Sequence, residues 1–242
     1  MYNLTISLLV AAAVFGLVLA TGLAPWAAII PALIGMFISN FLLARRVGKK
    51  VQELATAAQR EIQAQRIDKG IKLLEEGFKY EKWQFLVGAE LHSNIGILHY
   101  VKKDFAEARP HLQKASPRGP AGARAKAMLA CIHYQQKDEA AMRGAFELAV
   151  KAGKKEGIIW ATYAWCLEKL GKRDDAIRVL ARAVEANPSD ERLKANMVAL
   201  QNEKKLKMKA YAPEWYQFHL EKLPMDLMGG PGGGRRVIYQ RR

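Results

Sequence analysis

Residues 157–190 read GIIWATYAWCLEKLGKRDDAIRVLARAVEANPSD, and this stretch has the clearest structural pattern in the chain. Apolar residues recur at helical spacing on both sides of Gly171, which is placed to end one helix before a second begins. The small residues Ala164 and Ala183 allow the two helices to approach closely. Pro188 marks the end of the unit, because proline interrupts a helix. The stretch therefore predicts two packed helices joined by a short turn.

The same pattern recurs upstream with a period of 34 residues. A two-helix unit of this size cannot bury its apolar face alone, so a fixed period predicts a solenoid of stacked units. Such arrays present a concave surface and rarely carry chemistry. The columns that carry the period are Gly96, Ala130 and Ala164; Leu112, Phe146 and Leu180; and Ala115, Ala149 and Ala183.

These units resemble the tetratricopeptide repeat. The unit at 157–190 matches that family best, and the units at 89–122 and 123–156 match at fewer positions. Met142 stands where the family usually has a small residue. The resemblance implies an all-α fold in which the first helix of each unit lines the concave face. The matching residues of the best unit are Trp160, Ala164, Gly171, Ala176, Leu180, Ala183 and Pro188.

The predicted α-solenoid extends over residues 51–209. A degenerate unit at 51–88 precedes the three repeats, and residues 71–78 are its predicted second helix. A closing helix is predicted at 191–209, because a solenoid needs an end that shields its last repeat. Asp190 is placed to cap that helix.

The N-terminal part of the chain is an apolar leader, because the first 44 residues contain no Asp, Glu, Lys or Arg. Apolar runs cover residues 4–20 and 26–44. About 40 helical residues at about 1.5 Å each cross a hydrocarbon core of about 30 Å twice, which favours a transmembrane helical hairpin within residues 1–50. A single long or re-entrant membrane helix is one alternative. A cleaved signal peptide is another, but the basic start that it needs is missing.

Four bases follow the second apolar run directly, and they predict the orientation of the hairpin. Arg45, Arg46, Lys49 and Lys50 should stay on the cytoplasmic side, which places the repeats in the cytoplasm. The same bases either contact anionic lipid headgroups or act only as a topology signal. The plan resembles bacterial inner-membrane tetratricopeptide proteins of the HemY and LapB kind in architecture only, since the metal-binding cysteine pairs of LapB-type proteins are missing.

The resemblance also implies a groove on the concave face. Its central stripe is apolar and is flanked by tyrosines, and aromatic anchors in a groove are typical of protein-binding surfaces. We therefore expect a protein or peptide partner that is associated with the membrane, and self-association stays open. The alternative is that Trp165 and the tyrosines pack against neighbouring helices or the C-terminal tail. The predicted groove residues are Asn94, Ile97, Tyr100, Arg124, Cys131, Tyr134, Trp165 and Lys169.

The net charge of +15 supports a second class of function, a basic peripheral module that binds anionic lipid or nucleic acid. The bases are scattered and form no recognised nucleic-acid motif, so nucleic acid is the less favoured partner. A tail over 210–242 begins with aromatic residues and ends in a glycine-rich basic stretch. Its aromatic part either docks on the solenoid or engages a partner.

Other chemistry is not indicated by the sequence. Cys131 and Cys166 are predicted to be free thiols, as in a reducing compartment. His99 and His133 lie one repeat apart, and paired core histidines explain them better than a metal site, because the tight ligand spacing of zinc sites is missing. The sequence contains no catalytic motif. We therefore expect no metal, no cofactor and no enzymatic activity.

Overall fold

A computed structural model describes residues 1–22, 24–222 and 224. Over these residues the chain is all-α, as expected, and no strand is formed. The chain divides into two compact units, which are Met1–Gly153 and Lys154–Arg242. The turn residue Leu23 and the glycine-rich basic end of the predicted tail lie outside the described residues.

Unit 1 begins with two helices that pack against each other, α1 (Tyr2–Ala20) and α2 (Pro25–Gln63). Gly35 of α2 permits the close approach, because an added Cβ there would lie 3.3 Å from Val14 Cγ2. Both helices are long and apolar enough to cross a bilayer, although a signal sequence would satisfy the same criteria. They expose large apolar side chains along their length, including Phe37 at 75%.

Helix α2 does not end with the apolar run at residues 26–44 but continues for about five more turns to Gln63. The continuation has a physical cause, since Val47, Val51 and Ala58 keep helical spacing and turn inward. At 39 residues the helix is about 58 Å long. Its second half packs on α3 and takes the place of the first helix of the predicted degenerate unit.

The rest of unit 1 consists of consecutive helix pairs that follow the predicted repeats. The predicted second helix at 71–78 begins earlier, at Ile67, and its last residues form a 3₁₀ turn (Glu76–Tyr80). Helices α4 and α5 form one repeat and α6 and α7 the next, as the period predicts. The bounds are α3 Ile67–Glu75, α4 Val87–Val101, α5 Phe105–Lys114, α6 Gly119–Gln135 and α7 Glu139–Ala152.

The columns of the 34-residue period are the buried contacts of each repeat. Gly96 of α4 lies against Leu112 of α5, where an added Cβ would be 2.8 Å from Leu112 Cδ2 and 3.0 Å from its backbone nitrogen. The other column residues are at most 3% exposed. Met142 is fully buried in place of the usual small residue, because its long side chain fills the space between the helices.

Unit 2 contains α8 (Gly157–Lys169), α9 (Arg173–Ala186) and α10 (Glu191–Gln201). Gly171 separates α8 from α9 at φ +75°, in the left-handed region that glycine adopts without strain. The Asp190 carboxylate accepts a hydrogen bond of 3.0 Å from the Arg192 N–H, so the predicted cap of α10 is confirmed.

Helix α10 is shorter than the predicted closing helix at 191–209. The chain enters the left-handed region at Glu203 with φ 57°, which stops the helix. It then forms two 3₁₀ turns, Met208–Tyr211 and Glu214–Phe218. Leu193 and Leu200 of α10 are fully buried, as expected for a helix that covers the last repeat.

Candidate partner-binding surface

The first helices of the two repeats in unit 1, α4 and α6, pack side by side. Asn94 and Ile97 on α4 are half-buried, and so are Arg124 and Tyr134 on α6. These four predicted groove residues therefore retain accessible surface. We call them the unit 1 surface.

Two other predicted groove residues of unit 1 have no exposed area. Tyr100 is 0% exposed, and its ring packs edge-on against Phe105 at a centroid distance of 5.1 Å. Cys131 is also 0% exposed, because α6 packs on α4, α5 and α7. Its thiol is free and buried, as is that of Cys166, which confirms the predicted free thiols. Tyr100 and Cys131 support the unit 1 surface from beneath.

A cleft of about 300 Å³ lies where α4 and α6 begin, and no sequence motif indicated it. Leu86, Glu90, Ser93 and Arg118 are among its lining residues. One wall is the first turn of α6, which requires glycine at position 122, since a Cβ added to Gly122 would lie 2.0 Å from the Ser116 carbonyl oxygen. Glycine and proline in this turn signalled a loop and gave no indication of a cleft.

In unit 2 the predicted groove position on α8 is covered by the chain itself. Trp165 is only 7% exposed, and its ring meets the Trp215 ring edge-on at a centroid distance of 5.2 Å. Trp215 is fully buried, and its indole N–H donates a 2.9 Å hydrogen bond to the Glu221 carboxylate. The exposed Lys169 places its ammonium 5.3 Å from the centroid of the Trp165 ring. The aromatic part of the tail thus docks on α8, one of the two alternatives left open by the sequence.

The docked segment, which comprises residues 207–221, is also held by α10. The backbone N–H of Lys207 donates a 2.7 Å hydrogen bond to the buried Asn196 side chain. The Arg192 guanidinium lies 4.5 Å from the centroid of the Tyr211 ring. Burial raises the pKa of the Tyr211 hydroxyl well above its usual range. Polar and apolar contacts together fix the segment on this side of unit 2.

A comparison with protein families finds a match within unit 2. The family model for the tetratricopeptide repeat matches residues 158–200, which cover α8, α9 and α10. This part of the chain is similar to the tetratricopeptide repeat. No curated protein matches it. Repeats of this family generally mediate protein–protein interactions and typically belong to scaffolds without enzymatic activity.

Outside the unit 1 surface, the chain has a histidine cluster between α4 and α5. His92 Nδ1 and His111 Nδ1 are 3.0 Å apart, so one ring donates a hydrogen bond to the other. Burial lowers the pKa of both side chains, and each also lies close to another histidine. His99 Nδ1 lies 3.3 Å from the Asp104 carboxylate.

The second histidine of the predicted pair, one repeat after His99, lies on α6. His133 is 9% exposed, and burial lowers the pKa of its imidazole. Among the described residues, no group of three or more His, Cys, Asp or Glu side chains is arranged to hold a metal ion.

A buried lysine joins the two repeats of unit 1. Lys126 of α6 is 6% exposed, and its ammonium donates hydrogen bonds to the carbonyls of Leu112, at 3.0 Å, and Gln113, at 2.9 Å. These carbonyls belong to the last turn of α5, where the helix leaves its acceptors unpaired. Burial lowers the pKa of Lys126. Lys126 therefore stabilises the contact between the two repeats and is not assigned to ligand binding.

The four bases predicted to face lipid lie on the uninterrupted part of α2 that follows its apolar stretch. Arg45, Arg46, Lys49 and Lys50 are all exposed, whereas Val47 between them is 6% exposed and packs inward. The helix therefore turns an apolar side towards the protein and its bases towards solvent over these residues.

Proposed function

We propose that this chain is a membrane-anchored cytoplasmic scaffold that binds a protein or peptide partner through the unit 1 surface. The observation that carries the proposal is the pairing of α4 and α6, the first helices of two repeats, with accessible Ile97 and Tyr134. An apolar and an aromatic side chain supply contact area. Asn94 and Arg124 supply hydrogen-bonding groups on the same two helices.

The anchor in this proposal is the α1–α2 hairpin, inserted in a bacterial inner membrane. Exposed apolar side chains such as Leu9, at 70%, and Phe37, at 75%, support insertion, because lipid covers such surface at no cost in hydration. The bases after Ala44 favour a cytoplasmic body. Anchoring raises the effective concentration of the unit 1 surface near membrane-associated partners.

In this proposal, the chain's own tail covers the face of α8 that corresponds to the unit 1 surface. Trp165 contacts Trp215 of the docked segment and Lys169 lies over the Trp165 ring, so a partner would reach Trp165 only after Trp215 has left. We therefore assign partner recognition to the unit 1 surface. Tyr100 and Cys131, which are buried, are assigned a structural role in supporting that surface.

Site-specific photo-cross-linking in native membranes tests the partner claim. A photoreactive phenylalanine analogue replaces Ile97 or Tyr134 in the full chain, and Leu148, which is 45% exposed on α7, is the control position. Discrete adducts from the first two positions and none from Leu148 are expected. An adduct at twice the mass of the chain would identify a second copy as the partner. Equal labelling from all three positions would refute a specific surface.

Extraction and protease access test the anchor separately. The full chain should stay in the membrane fraction through an alkaline carbonate wash and leave it only with detergent. Protease added outside intact cells should spare the repeats. Release by carbonate would refute the proposed membrane anchor, and cleavage from outside would show that the repeats face the opposite side. Neither outcome bears on the cross-linking result.

Binding of anionic lipid, the second candidate function, is favoured by one observation. The bases Arg45, Arg46, Lys49 and Lys50 form an exposed row on α2. Each base near an anionic leaflet contributes about 1 kcal/mol at low salt. Replacing all four with glutamine should shorten the retention of the chain in anionic membranes relative to zwitterionic ones. Equal retention in both would leave these bases with a topological role only.

A further inference from the structure

Residues 79–86, which comprise the end of the 3₁₀ turn and the connection from it to α4, expose a pair of adjacent apolar side chains. Phe85 is 61% exposed and Leu86 is 38% exposed. Among the described residues beyond the apolar stretch of α2, only Leu148 and Val198 are comparably exposed large apolar side chains, and these are isolated. Leu86 has a φ of 76°, in the left-handed region where glycine is favoured, so a bulky apolar side chain occupies a strained position.

This connection is attached directly to the first turn of α1. The backbone N–H groups of Tyr2 and Asn3 donate hydrogen bonds to the carbonyls of Lys82, at 2.9 Å, and Trp83, at 3.3 Å. The rings of Tyr2 and Trp83 also meet edge-on, with centroids 5.4 Å apart. The first N–H groups of a helix have no partner inside the helix, so these bonds cap α1.

The attachment fixes the level of the connection relative to the hairpin. Leu4 of α1 lines the same recess as Phe41 and Ala44 of α2, so the start of α1 is level with the end of the apolar stretch of α2. An inserted hairpin therefore has Tyr2 at the boundary between lipid and water. Phe85 follows Trp83 by two residues and lies within about 7 Å of that level.

The composition of the connection suits this boundary. Aromatic side chains concentrate at the headgroup level, where an apolar ring and a polar edge are both accommodated. Lys79 and Lys82 are exposed on the same segment with the exposed Glu81 between them, which leaves the segment a net charge of +1, and Arg45 and Arg46 are exposed on α2 just beyond Ala44. Apolar side chains between clustered bases are complementary to an anionic lipid surface.

We propose that residues 79–86 form a second membrane contact, in which Trp83, Phe85 and Leu86 enter the headgroup region of the leaflet that faces the repeats. Lys79 and Lys82 lie on anionic headgroups. This contact rests on the proposed insertion of the hairpin. It holds the first repeat of unit 1 to the bilayer at a second point, in addition to α2.

Spin-label accessibility in nanodiscs tests the contact on the full chain. Phe85→Cys, Phe37→Cys and Leu148→Cys are each labelled in a background with Cys131→Ala and Cys166→Ala. The nanodiscs contain equimolar phosphatidylcholine and phosphatidylglycerol. Collisions with oxygen, which concentrates in lipid, are compared with collisions with a water-soluble nickel chelate. Labels at 85 and 37 should favour oxygen, and the label at 148 should favour the chelate.

The outcomes separate this contact from the anchor on which it rests. A label at 85 that behaves like the one at 148, while the one at 37 reports lipid, overturns the second contact alone. A label at 37 that reports water overturns the insertion of the hairpin as well. A protein partner covering the segment would shield the label at 85 from both reagents, which also overturns a lipid contact.

Tryptic cleavage after Lys82 is a second measurement that uses the native cysteines. In the same nanodiscs, Phe85→Asp should speed this cleavage by roughly tenfold or more, the factor that corresponds to releasing one buried phenylalanine. Leu148→Asp is the matched control and should leave the rate unchanged. An unchanged rate in Phe85→Asp contradicts the proposal, whether or not the cysteine variants fold.

Discussion

Removal of the Trp215 ring should release the docked segment from unit 2. Trp215 is fully buried, packs edge-on against Trp165 at 5.2 Å and donates a hydrogen bond to Glu221. Truncation of a buried tryptophan to alanine costs about 3–5 kcal/mol. At 1.4 kcal/mol per factor of ten, Trp215→Ala should raise the opening constant of the segment by about 100- to 4,000-fold. The amides of residues 207–221 should then exchange almost without protection.

Hydrogen exchange measured by mass spectrometry on the full chain reports this release segment by segment. Peptides from α9 serve as the internal control, because α9 pairs with α8 and Ala176, Leu180 and Ala183 bury it there independently of Trp215. Trp215→Phe retains a ring against Trp165 but loses the indole N–H, so its effect should be smaller, at about tenfold. Unchanged protection of residues 207–221 in Trp215→Ala would refute the docking, and equal loss in α9 would show global unfolding instead.

Three further predictions concern unit 1. Gly122→Ala should destabilise it by about 1–3 kcal/mol or more, since its Cβ would lie 2.0 Å from the Ser116 oxygen, whereas Gly144→Ala, with nothing within 4 Å, should be neutral or stabilising in thermal melts. Lys126→Met should cost about 1–3 kcal/mol in the same assay, because two carbonyls of α5 lose their donor. The lowered pKa values of His92 and His111 mean that only the unfolded state takes up protons as pH first falls below 6.5. Stability should therefore be fully present above pH 6.5 and decline below it, and exchange of α4 amides should show a flatter pH dependence in a His92→Phe variant.

The parts of the fold that follow a period were predictable from sequence. Ala164, Leu180 and Ala183 belong to columns that recur at positions where two helices must touch, and every column residue is buried in the structure. The continuation of α2 past Ala44 was not predicted, because the bases at Arg45 and Arg46 indicated a boundary. Apolar residues at helical spacing continue the helix past these bases, and it ends just before Gln65, which has a φ of 63°.

The candidate site was less predictable, because burial depends on what covers a residue. The repeat register placed Tyr100, Cys131 and Trp165 among the groove residues, yet Tyr100 and Cys131 are buried by packing within unit 1 and Trp165 by Trp215. The docked segment has no helical period, so pattern analysis left its role open. Lys126 was missed for a similar reason, since a lysine in sequence indicates solvent and only the structure shows the carbonyls of α5 around it.

The continuity of α2 constrains how the proposed scaffold works. A flexible linker between an anchor and its repeats would let the repeats move over a distance of about 5–6 Å times the square root of the number of linker residues. Unit 1 has no such linker, because the helix that carries the apolar stretch is itself the first helix of the repeat region. The joint with α3 is tight, since a Cβ added at Gly70 would lie 2.7 Å from Ile62 Cγ1 and 3.2 Å from the Ala58 oxygen. An inserted hairpin therefore fixes the direction as well as the distance of the first repeat, so partners that approach along the membrane meet a surface with one orientation.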